Sequence, residues 1–533
     1  MIDQPTFDRA AAVAPHALAA EAGRDVMIEG GNAIEATVAM AATIAVVYPH
    51  MTGIGGDGFW LIGEPPRQAS TRRVRYIEAC GYAGALATRR RYADKGYDTL
   101  PARGPDAALT VPGTVDGWRA ALELSASMGG RLPLSRLLEP ARTLAARGAP
   151  VSPSEARYEP LELPALRSAP GFLDTFTDEG RVPAAGELRR LPALADTLEQ
   201  LSRAGLRDFY AGEIGREMAA DLERIGAPVT RDDLAGYEAR WRPPLSLRLP
   251  GCTVFNAPPP TQGLASLVML GLFSRLGVTR PEGFDHIHGL IEAAKRALAI
   301  RDRVCTDHDR LREDPDDYLA NAFLDRCAAT IDKRRATAAT IPPADGGTVW
   351  MGAVDPSGLA VSFIQSIYWD YGSGCVLPRT GVLMQNRGLA FSLDSKALNP
   401  LEPGRRPVHT LNPPLAIFDD GRVVPYGAMG GDGQPQFQAQ IFTRYAFGQN
   451  PATAVDAPRV LFGRTWGDTH RQLRLEGRFD PDLLEALERT GHEMVVDAPY
   501  TDKLGHAGMI VRHPGGRVEA SHDPRSDGGA SGF

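Results

Sequence analysis

A threonine that could serve as a nucleophile, Thr348, follows two glycines and opens a stretch of strand-like alternation. If the chain were cut between Gly347 and Thr348, the new α-amine would have an ordinary pKa of about 7.7–8. This amine would lie on the same residue as the hydroxyl and could accept its proton. The arrangement is the N-terminal threonine form of an activated nucleophile, and it suits the cleavage of amides through an acyl-enzyme.

The residues before the threonine suit a self-cleaving joint. The threonine Oγ must reach the preceding carbonyl, and Gly346 and Gly347 lack the Cβ atoms that would forbid the strained backbone this requires. Residues 325–347 are polar, rich in Ala and Thr, and include Pro342 and Pro343. We therefore expect an exposed joint there.

Two other patterns suggest different chemistry. The glycine loop GIGGDG, residues 53–58, invites comparison with a dinucleotide site, but that motif needs a strand before it and a helix after it. Here the predicted helix comes first, so we interpret the loop as a tight turn where backbones approach closely. His286 and His288 are two residues apart and do not share a helical face, so we predict no metal site.

Bulk composition narrows the function classes. The 533-residue chain has a net charge of −7 and no basic block, so nucleic acid is not an expected partner. Five scattered cysteines without a C-x-x-C pair indicate a reducing compartment. The most apolar stretch, Ala33 to Tyr48, contains Glu35 and is predicted to be a buried helix rather than a membrane span. With no signal peptide evident, we expect a cytoplasmic protein without a membrane partner.

The elements that must position the threonine follow from periodicity. A second helix is predicted over Asp285 to Arg303, and several short helices within residues 130–245. A strand is predicted within 71–83, and β character rises after residue 347. The later predicted strands are 348–354, 359–366, 381–386, 414–418 and 422–427. This order predicts an α/β sandwich whose sheets are covered by helices.

Several long motifs in a fixed order resemble the γ-glutamyltranspeptidase family of N-terminal nucleophile hydrolases. They are GGNAIEATVAMAATIAVVYPHMTGIGGDGFWLI, LTVPGTVDGW, APPPTQGLASL, HGLIEAAKRALA and DPRSDGGASGF, and together they span most of the chain. The resemblance implies a four-layer αββα sandwich and no cofactor. It also implies self-cleavage into a large subunit, 1–347, and a small subunit, 348–533. The two would stay intertwined in one fold, and a dimer of such heterodimers is allowed.

The same resemblance assigns roles to single residues. The segment TVWMGAVD places Thr348 at the family nucleophile, with Val349 and Trp350 replacing a second threonine and a histidine. The segment AMGGDGQ places Gly430 and Gly431 at the backbone donors to the oxyanion, each worth about 2.7–4 kcal/mol when well aimed.

Further roles concern the hydroxyl network and the substrate. Ser366 matches the hydroxyl that bonds the threonine Oγ. Arg89, in ALATRRRY, matches the arginine that holds a substrate carboxylate, a task suited to a guanidinium fork.

Departures from the family pattern concern the substrate. His409 and Thr410 stand where the family has a serine pair, and Tyr368 replaces an asparagine. Leu389 and Ala390 fall where an aspartate would bind the substrate's ammonium group, and Arg387 is close by. Since a buried ammonium needs an anion, we expect a small amide that carries a carboxylate but no ammonium. The resemblance is strongest to the oxamate amidohydrolase branch.

The sequence therefore predicts a self-processing threonine amidohydrolase acting on a small, oxamate-like amide. A genuine γ-glutamyltransferase or glutathione hydrolase is one alternative. A non-catalytic binding protein on the same scaffold is another, because Val349 and Trp350 depart from the pattern. A nucleotide-dependent oxidoreductase using the glycine loop is a third.

Overall fold

Residues 5–65, 72–338, 347–463 and 472–533 are described by a computed structural model of the uncut chain. Gly346, Pro342 and Pro343 of the predicted joint lie outside the described residues. The described part of the joint, residues 325–338, begins in a helix and continues in irregular, mostly exposed backbone.

The strands of the described residues fall mainly into two seven-stranded sheets. In chain order, they are β1 (Thr6–Phe7), β2 (Ala11–Ala14), β3 (Asp57–Gly63), β4 (Val74–Ala79), β5 (Ala149–Pro150), β6 (Leu188–Arg189), β7 (Arg240–Arg242), β8 (Leu245–Leu249), β9 (Cys252–Asn256), β10 (Gly347–Val354), β11 (Ala360–Tyr368), β12 (Val376–Leu377), β13 (Val382–Leu383), β14 (Leu415–Phe418), β15 (Val423–Ala428), β16 (Val460–Phe462), β17 (Leu473–Glu476), β18 (Met494–Asp497), β19 (Ala507–Arg512), β20 (Val518–His522) and β21 (Gly529–Gly532).

One sheet, the nucleophile sheet, has the order β21-β2-β10-β11-β3-β4-β7, and the facing sheet has the order β1-β20-β19-β15-β14-β9-β8. Neighbouring strands in both sheets are antiparallel. Strand β10 lies between β2 and β11, and every one of its residues is buried. A strand buried on both faces must be covered on both sides, which the second sheet and the helices do.

Several α-helices cover the outer faces of the two sheets. The α-helices of the described residues have the following bounds. They are α1 (Ala17–Ile28), α2 (Ala33–Val47), α3 (Arg89–Asp94), α4 (Thr114–Ser127), α5 (Leu134–Arg147), α6 (Pro153–Leu166), α7 (Phe172–Phe176), α8 (Pro192–Ala204), α9 (Asp208–Ala211), α10 (Glu213–Ile225), α11 (Arg231–Ala235), α12 (Gly263–Phe273), α13 (Phe284–Val304), α14 (Asn321–Ala328), α15 (Gln434–Ala446), α16 (Pro451–Asp456) and α17 (Pro481–Arg489).

Helix α2 shows why local sequence produces this architecture. The Asn32 side chain accepts hydrogen bonds from the Ile34 and Glu35 N–H groups, and the Glu35 carboxylate accepts from the Asn32 N–H, forming a capping box. All fifteen helical residues are buried, as the apolar composition predicts. The helix ends one residue before Tyr48, because Pro49 cannot continue it.

Three buried clusters divide the core by layer. One joins α1, α2, α4, α5 and α8 to the nucleophile sheet, a second joins α12, α13 and α15 to the facing sheet, and a third lies between the two sheets. The result is the predicted four-layer αββα sandwich. Among the residues that the structure describes, none of the helices combines the length and apolar character needed to cross a bilayer.

The predicted elements after residue 347 are confirmed as β10, β11, β13, β14 and β15, and the helix predicted over Asp285 to Arg303 is α13. The expectation that the joint is exposed up to residue 347 is wrong. Gly347 pairs with Tyr368 in the β10–β11 ladder, and Thr348 has no solvent-exposed surface. Sheet pairing buries both residues in the uncut chain.

Candidate active site

The two predicted hydroxyls meet at the carbonyl of Gly347. Thr348 Oγ1 donates to Gly347 O at 2.6 Å, and Ser366 Oγ donates to the same oxygen at 2.5 Å. The two hydroxyl oxygens are 3.3 Å apart. Two donors on one carbonyl oxygen draw electrons from its carbon, which favours attack by a nucleophile.

An irregularity in the pairing of β10 with β11 orients the two hydroxyl groups toward the Gly347 carbonyl. The pairing register shifts between Gly347 and Val349, so Thr348 sits at a bulge, a feature that re-aims side chains near active sites. The Tyr368 N–H donates to Ser366 Oγ at 2.8 Å, leaving the serine proton for Gly347. Tyr368 itself has a φ of 81°, an uncommon conformation for a residue with a side chain.

The glycine loop supports this geometry by close backbone approach. A Cβ on Gly56 would lie 2.1 Å from the carbonyl oxygen of Ser366, which no side chain could tolerate. Helix α2 precedes the loop and strand β3 follows it. The interpretation of GIGGDG as a tight turn is therefore in keeping with the structure.

The predicted oxyanion donors lie on a glycine turn. Gly430 has a φ of 124° and Gly431 a φ of 54°, both in the region that favours glycine. A short 3₁₀ turn over Gly431–Gly433 leads directly into α15. The unpaired N–H groups at such a turn and helix start give a positive local potential, which suits a developing negative charge.

Two side chains that the sequence analysis missed hold this turn. Gln262 Nε2 donates to Gly431 O at 2.7 Å and to Thr410 O at 2.8 Å. Arg301 bonds the side chain of Gln262 at 2.8 Å and forms a buried ion pair with Asp432. Gln262 belongs to the motif APPPTQGLASL, but nothing in the sequence of that motif indicates the distant partners of Gln262.

A cavity of about 400 Å³ is lined by Tyr368, whose N–H donates to Ser366 Oγ. Its lining includes Tyr368, Arg387, His409 and Thr410, four of the five residues predicted to bind substrate. Asp432, which directly follows Gly431, also lines it. The volume is in the usual range for small-molecule sites.

Among the described residues, Arg387 is the cation of this lining that forms no ion pair, and it is 1% exposed. Its Nη1 lies 3.5 Å from Thr410 Oγ1, and its Cζ lies 3.8 Å from the centroid of the Tyr368 ring. Within the described residues, Nε and Nη2 have no hydrogen-bond partner. Burial lowers the Arg387 pKa to about 10, so the group is still a cation at neutral pH.

His409 is fully buried next to an acid that the sequence analysis missed. Its Nε2 lies 3.4 Å from Asp57 Oδ2, and Asp57 Oδ1 accepts from the N–H groups of Gly81 and Gly113. Burial raises the Asp57 pKa to about 7. Burial and the nearby Arg387 charge hold the His409 pKa well below its usual value. The one available signal for Asp57 was an acid inside a glycine loop.

Arg89 stands apart from these groups. It begins α3, its Nη1 lies 3.9 Å from Glu402 Oε1, and the described residues lining the cavity do not include it. To reach a ligand in the cavity, its side chain would have to leave Glu402.

Val349 and Trp350, which replace a threonine and a histidine of the family pattern, are core residues. Trp350 lies between the sheets, where its Nε1 donates to Ser362 Oγ at 2.9 Å and its ring fills the space above Gly427 and Gly508. Val349 faces the helices of the nucleophile sheet. Both substitutions concern packing, so they give no support to a non-catalytic protein.

His288, Glu292 and His492 form the cluster with metal-like spacing among the described residues, with ligand atoms within 4.8 Å of one another. Lys295 and Arg296 already pair with Glu292, at 2.7 and 3.1 Å, and the two histidines bond each other at 2.9 Å. Two cations beside the carboxylate disfavour a third.

The fold and site together define a class of protein. Two facing antiparallel sheets between helical layers, with a hydroxyl residue at the start of a central strand, are the architecture of N-terminal nucleophile hydrolases. The solved structure of cephalosporin acylase from Bacillus halodurans superposes with a TM-score of 0.90 at 32% identity, covering 100% of this chain and 97% of that one.

Sequence comparison then gives the family. The gamma-glutamyltranspeptidase family model matches residues 19–533, and the chain belongs to that family. It is 48% identical to an oxamate amidohydrolase proenzyme of Klebsiella pneumoniae, over 98% of both chains. It is 38% identical to a glutathione hydrolase-like proenzyme, YwrD, of Bacillus subtilis, again over 98% of both. The protein is thus an enzyme, a hydrolase of the gamma-glutamyltranspeptidase family.

Proposed function

We propose that the chain is a precursor that cuts itself before Thr348 and then hydrolyses the amide of oxamate or a closely similar small carboxylate. The observation that carries the first half is the Gly347 carbonyl oxygen, which accepts hydrogen bonds from both Thr348 and Ser366. The second half is supported by the buried, under-bonded Arg387 in the adjacent cavity.

Self-cleavage begins with attack of Thr348 Oγ on the Gly347 carbonyl carbon. The C–N bond breaks, the hydroxyl proton passes to the departing nitrogen, and an ester joins residue 347 to the threonine. Water hydrolyses this ester, leaving a carboxylate on Gly347 and a free amine on Thr348. Because Thr348 is fully buried in the uncut chain, residue 347 must withdraw before substrate reaches the hydroxyl.

The two products, residues 1–347 and 348–533, would remain one folded body. Strands β2 and β3 come from the large piece, and they flank β10 and β11 from the small piece in a single sheet. Separating the pieces would expose the interior of that sheet, which is strongly unfavourable.

Turnover reuses the same atoms. Thr348 Oγ attacks the amide carbon of the substrate, the α-amine accepts the hydroxyl proton, and Gly430 and Gly431 donate N–H groups to the oxyanion. The amine then protonates the leaving nitrogen, and ammonia departs from an acyl ester on Thr348. Attack by water releases the dicarboxylate and restores the hydroxyl. An acceptor amine in place of water would give transfer instead of hydrolysis.

The charges of the cavity favour a substrate with a carboxylate and no ammonium group. Arg387 has two guanidinium nitrogens without partners in the described parts of the chain, and Thr410 and His409 lie beside it as neutral polar groups. The acids in the lining, Asp302 and Asp432, both pair with Arg301, and the Asp302 side chain is 46% exposed to solvent, so neither carboxylate pairs with Arg387. Leu389 and Ala390 complete the wall with apolar surface. Arg89 serves as a more distant source of positive charge.

The test compares substrates on one preparation. Ammonia release from oxamate and p-nitroaniline release from γ-glutamyl-p-nitroanilide are measured on purified protein. A denaturing gel should show two chains of roughly 37 and 20 kDa, apportioning the 57.3 kDa by residue number. Higher kcat/KM for the γ-glutamyl compound would overturn the substrate proposal, and a single full-length chain that turns over oxamate would overturn the self-cleavage proposal.

A further inference from the structure

The uncut precursor lacks the free α-amine of Thr348, which is the proposed proton acceptor in the mature enzyme. In the mature enzyme the α-amine of Thr348 can take the hydroxyl proton, but in the precursor that nitrogen is an amide with no basic lone pair. Another group must therefore accept the proton of Thr348 Oγ during maturation. This question rests on the proposed self-cleavage before Thr348.

The register across the two sheets places His506 opposite Thr348. Trp350 contacts Gly427 on β15 and Gly508 on β19, which are paired neighbours in the facing sheet. Thr348 lies two residues before Trp350, and His506 lies two residues before Gly508. Thr348, Trp350 and His506 all line one small cavity.

One small cavity is lined by both residues. It has a volume of about 10 Å³, roughly the room for one water molecule, and Thr348, His506 and Met429 line it. The Met429 N–H donates to His506 O at 2.8 Å. Since Met429 directly precedes Gly430, the histidine is tied to the turn that carries the oxyanion donors.

His506 is 5% exposed, and within the described residues neither nitrogen of its imidazole has a hydrogen-bond partner. Buried polar atoms without partners are rare and need a reason, such as a water or a catalytic role. Burial lowers the pKa of His506, so its ring is unprotonated at neutral pH and has a lone pair available.

The charged and titratable groups that face this ring come from several segments. They are Asp523 and Asp527 near the C-terminus, Asp502, Arg459, and His50 after α2. The three aspartates counteract part of the burial effect on the His506 pKa, and Arg459 adds to it.

A second buried group near the scissile bond, Asp370, is in the wrong protonation state for this task. Its Oδ1 lies 2.7 Å from where a Cβ on Gly347 would stand. Burial raises the Asp370 pKa to about 8, so at neutral pH most Asp370 carboxyls already carry a proton. His506 lines the same cavity as Thr348, and its ring is unprotonated at that pH, so His506 is the better placed base.

We propose that His506 accepts the proton of Thr348 Oγ during self-cleavage, through one water molecule in the shared cavity. The Oγ–C bond to residue 347 forms as the proton moves through the water to the imidazole. The imidazolium then returns a proton to the nitrogen of Thr348 as the C–N bond breaks. The ester that results is hydrolysed by a second water, and the ring ends as it began. After cleavage the new amine takes over the role.

The experiment measures the rate of precursor cleavage in cell-free synthesis, followed on denaturing gels. His506→Gln should slow cleavage by about 100-fold or more, the usual contribution of a general base. Once a molecule is cut, its turnover per liberated Thr348 amine should equal that of the wild type. His50→Gln is the matched control, because His50 is equally buried and its ring nitrogens also lack partners in the described residues.

The pH profile separates proton transfer from a merely structural role. Wild-type cleavage should be level above about pH 7 and fall at lower pH as the imidazole is protonated. Residual cleavage of His506→Gln should instead rise with pH throughout, because hydroxide replaces the missing base. His506→Asn should behave as the Gln variant does.

Two results would overturn the inference while leaving the proposed function intact. One is wild-type cleavage rates in both His506 variants. The other is an equal loss of cleavage and of turnover with an unchanged pH profile, which would indicate distortion of the site. If the wild-type chain itself were not cut before Thr348, the proposed function would fail first.

Discussion

Replacing Arg387 by methionine should make the protein more stable and less active at the same time. The guanidinium is buried without a carboxylate partner, and its only hydrogen bond among the described residues is the 3.5 Å contact with Thr410. A buried, unpaired cation lowers the stability of the ligand-free protein, and binding of a carboxylate ligand would restore that stability. Methionine has a similar length and no charge, so it can fill the space without that cost.

The magnitude follows from the Arg387 pKa. Its fall from 12.5 to about 10 means that the folded state disfavours the cation. At 1.36 kcal/mol per pKa unit, the penalty is about 3 kcal/mol. This penalty is fully present at pH 7, which is below the Arg387 pKa of both the folded and the unfolded state. It would disappear only as the pH rises above the folded-state pKa of about 10. Loss of the cation–π contact with the Tyr368 ring, worth about 0.5–2 kcal/mol, offsets part of this gain, so Arg387→Met should gain about 1–3 kcal/mol.

The assay combines thermal unfolding with kinetics on oxamate. Arg387→Met should raise the midpoint of unfolding and lower kcat/KM about 10- to 150-fold, the worth of a charged hydrogen bond. Oxamate should stabilise the wild type and not the variant. As a control, Arg444→Met should lower the midpoint, because Arg444 is buried and paired with Glu282 at 2.6 Å. A destabilised Arg387→Met with unchanged kinetics would refute the reasoning.

Other changes test single parts of the site. Thr348→Ala should remain one full-length band on a denaturing gel and release no ammonia, and normal processing would contradict this. Gly430→Ala combines an unfavourable φ of 124° with a Cβ 2.7 Å from a Phe437 ring carbon. Its kcat should fall about 10²- to 10³-fold, the loss of one oxyanion donor, and an unchanged kcat would argue against that role. Asp57 binds its proton more tightly in the folded state, with a pKa of about 7 against 3.8. Stability should therefore decline as pH rises from 4 to 7, and Asp57→Asn should flatten that decline in urea titrations at each pH. Turnover by the cut enzyme should rise through about pH 7.7–8 as the Thr348 amine loses its proton, in kcat measured against pH.

The sequence predicted the elements that carry strong local signals. The alternation after Gly347 identified β10 and β11, and the apolar run after Asn32 identified α2. Both could be predicted because the pattern of apolar residues within a short window indicates which face of an element is buried. Thr348 and Ser366 could be paired through motif resemblance, and the structure places their oxygens 3.3 Å apart.

Long-range partners could not be predicted in the same way. Asp57 and His409 are 352 positions apart in sequence, and only the packing of β3 against the loop before β14 brings them together. His506 and Thr348 are 158 positions apart and line one cavity, an arrangement that no local sequence pattern encodes. The burial of Gly347 was also missed, because a polar, proline-rich segment indicates exposure while strand pairing with Tyr368 imposes the opposite.

The central claim is that the active enzyme begins its small chain with Thr348. N-terminal sequencing and intact mass of a preparation active on oxamate test this most directly. The claim predicts a chain that starts Thr-Val-Trp-Met and a second chain that ends at Gly347. An active preparation whose mass is that of the undivided 57.3 kDa chain would contradict it.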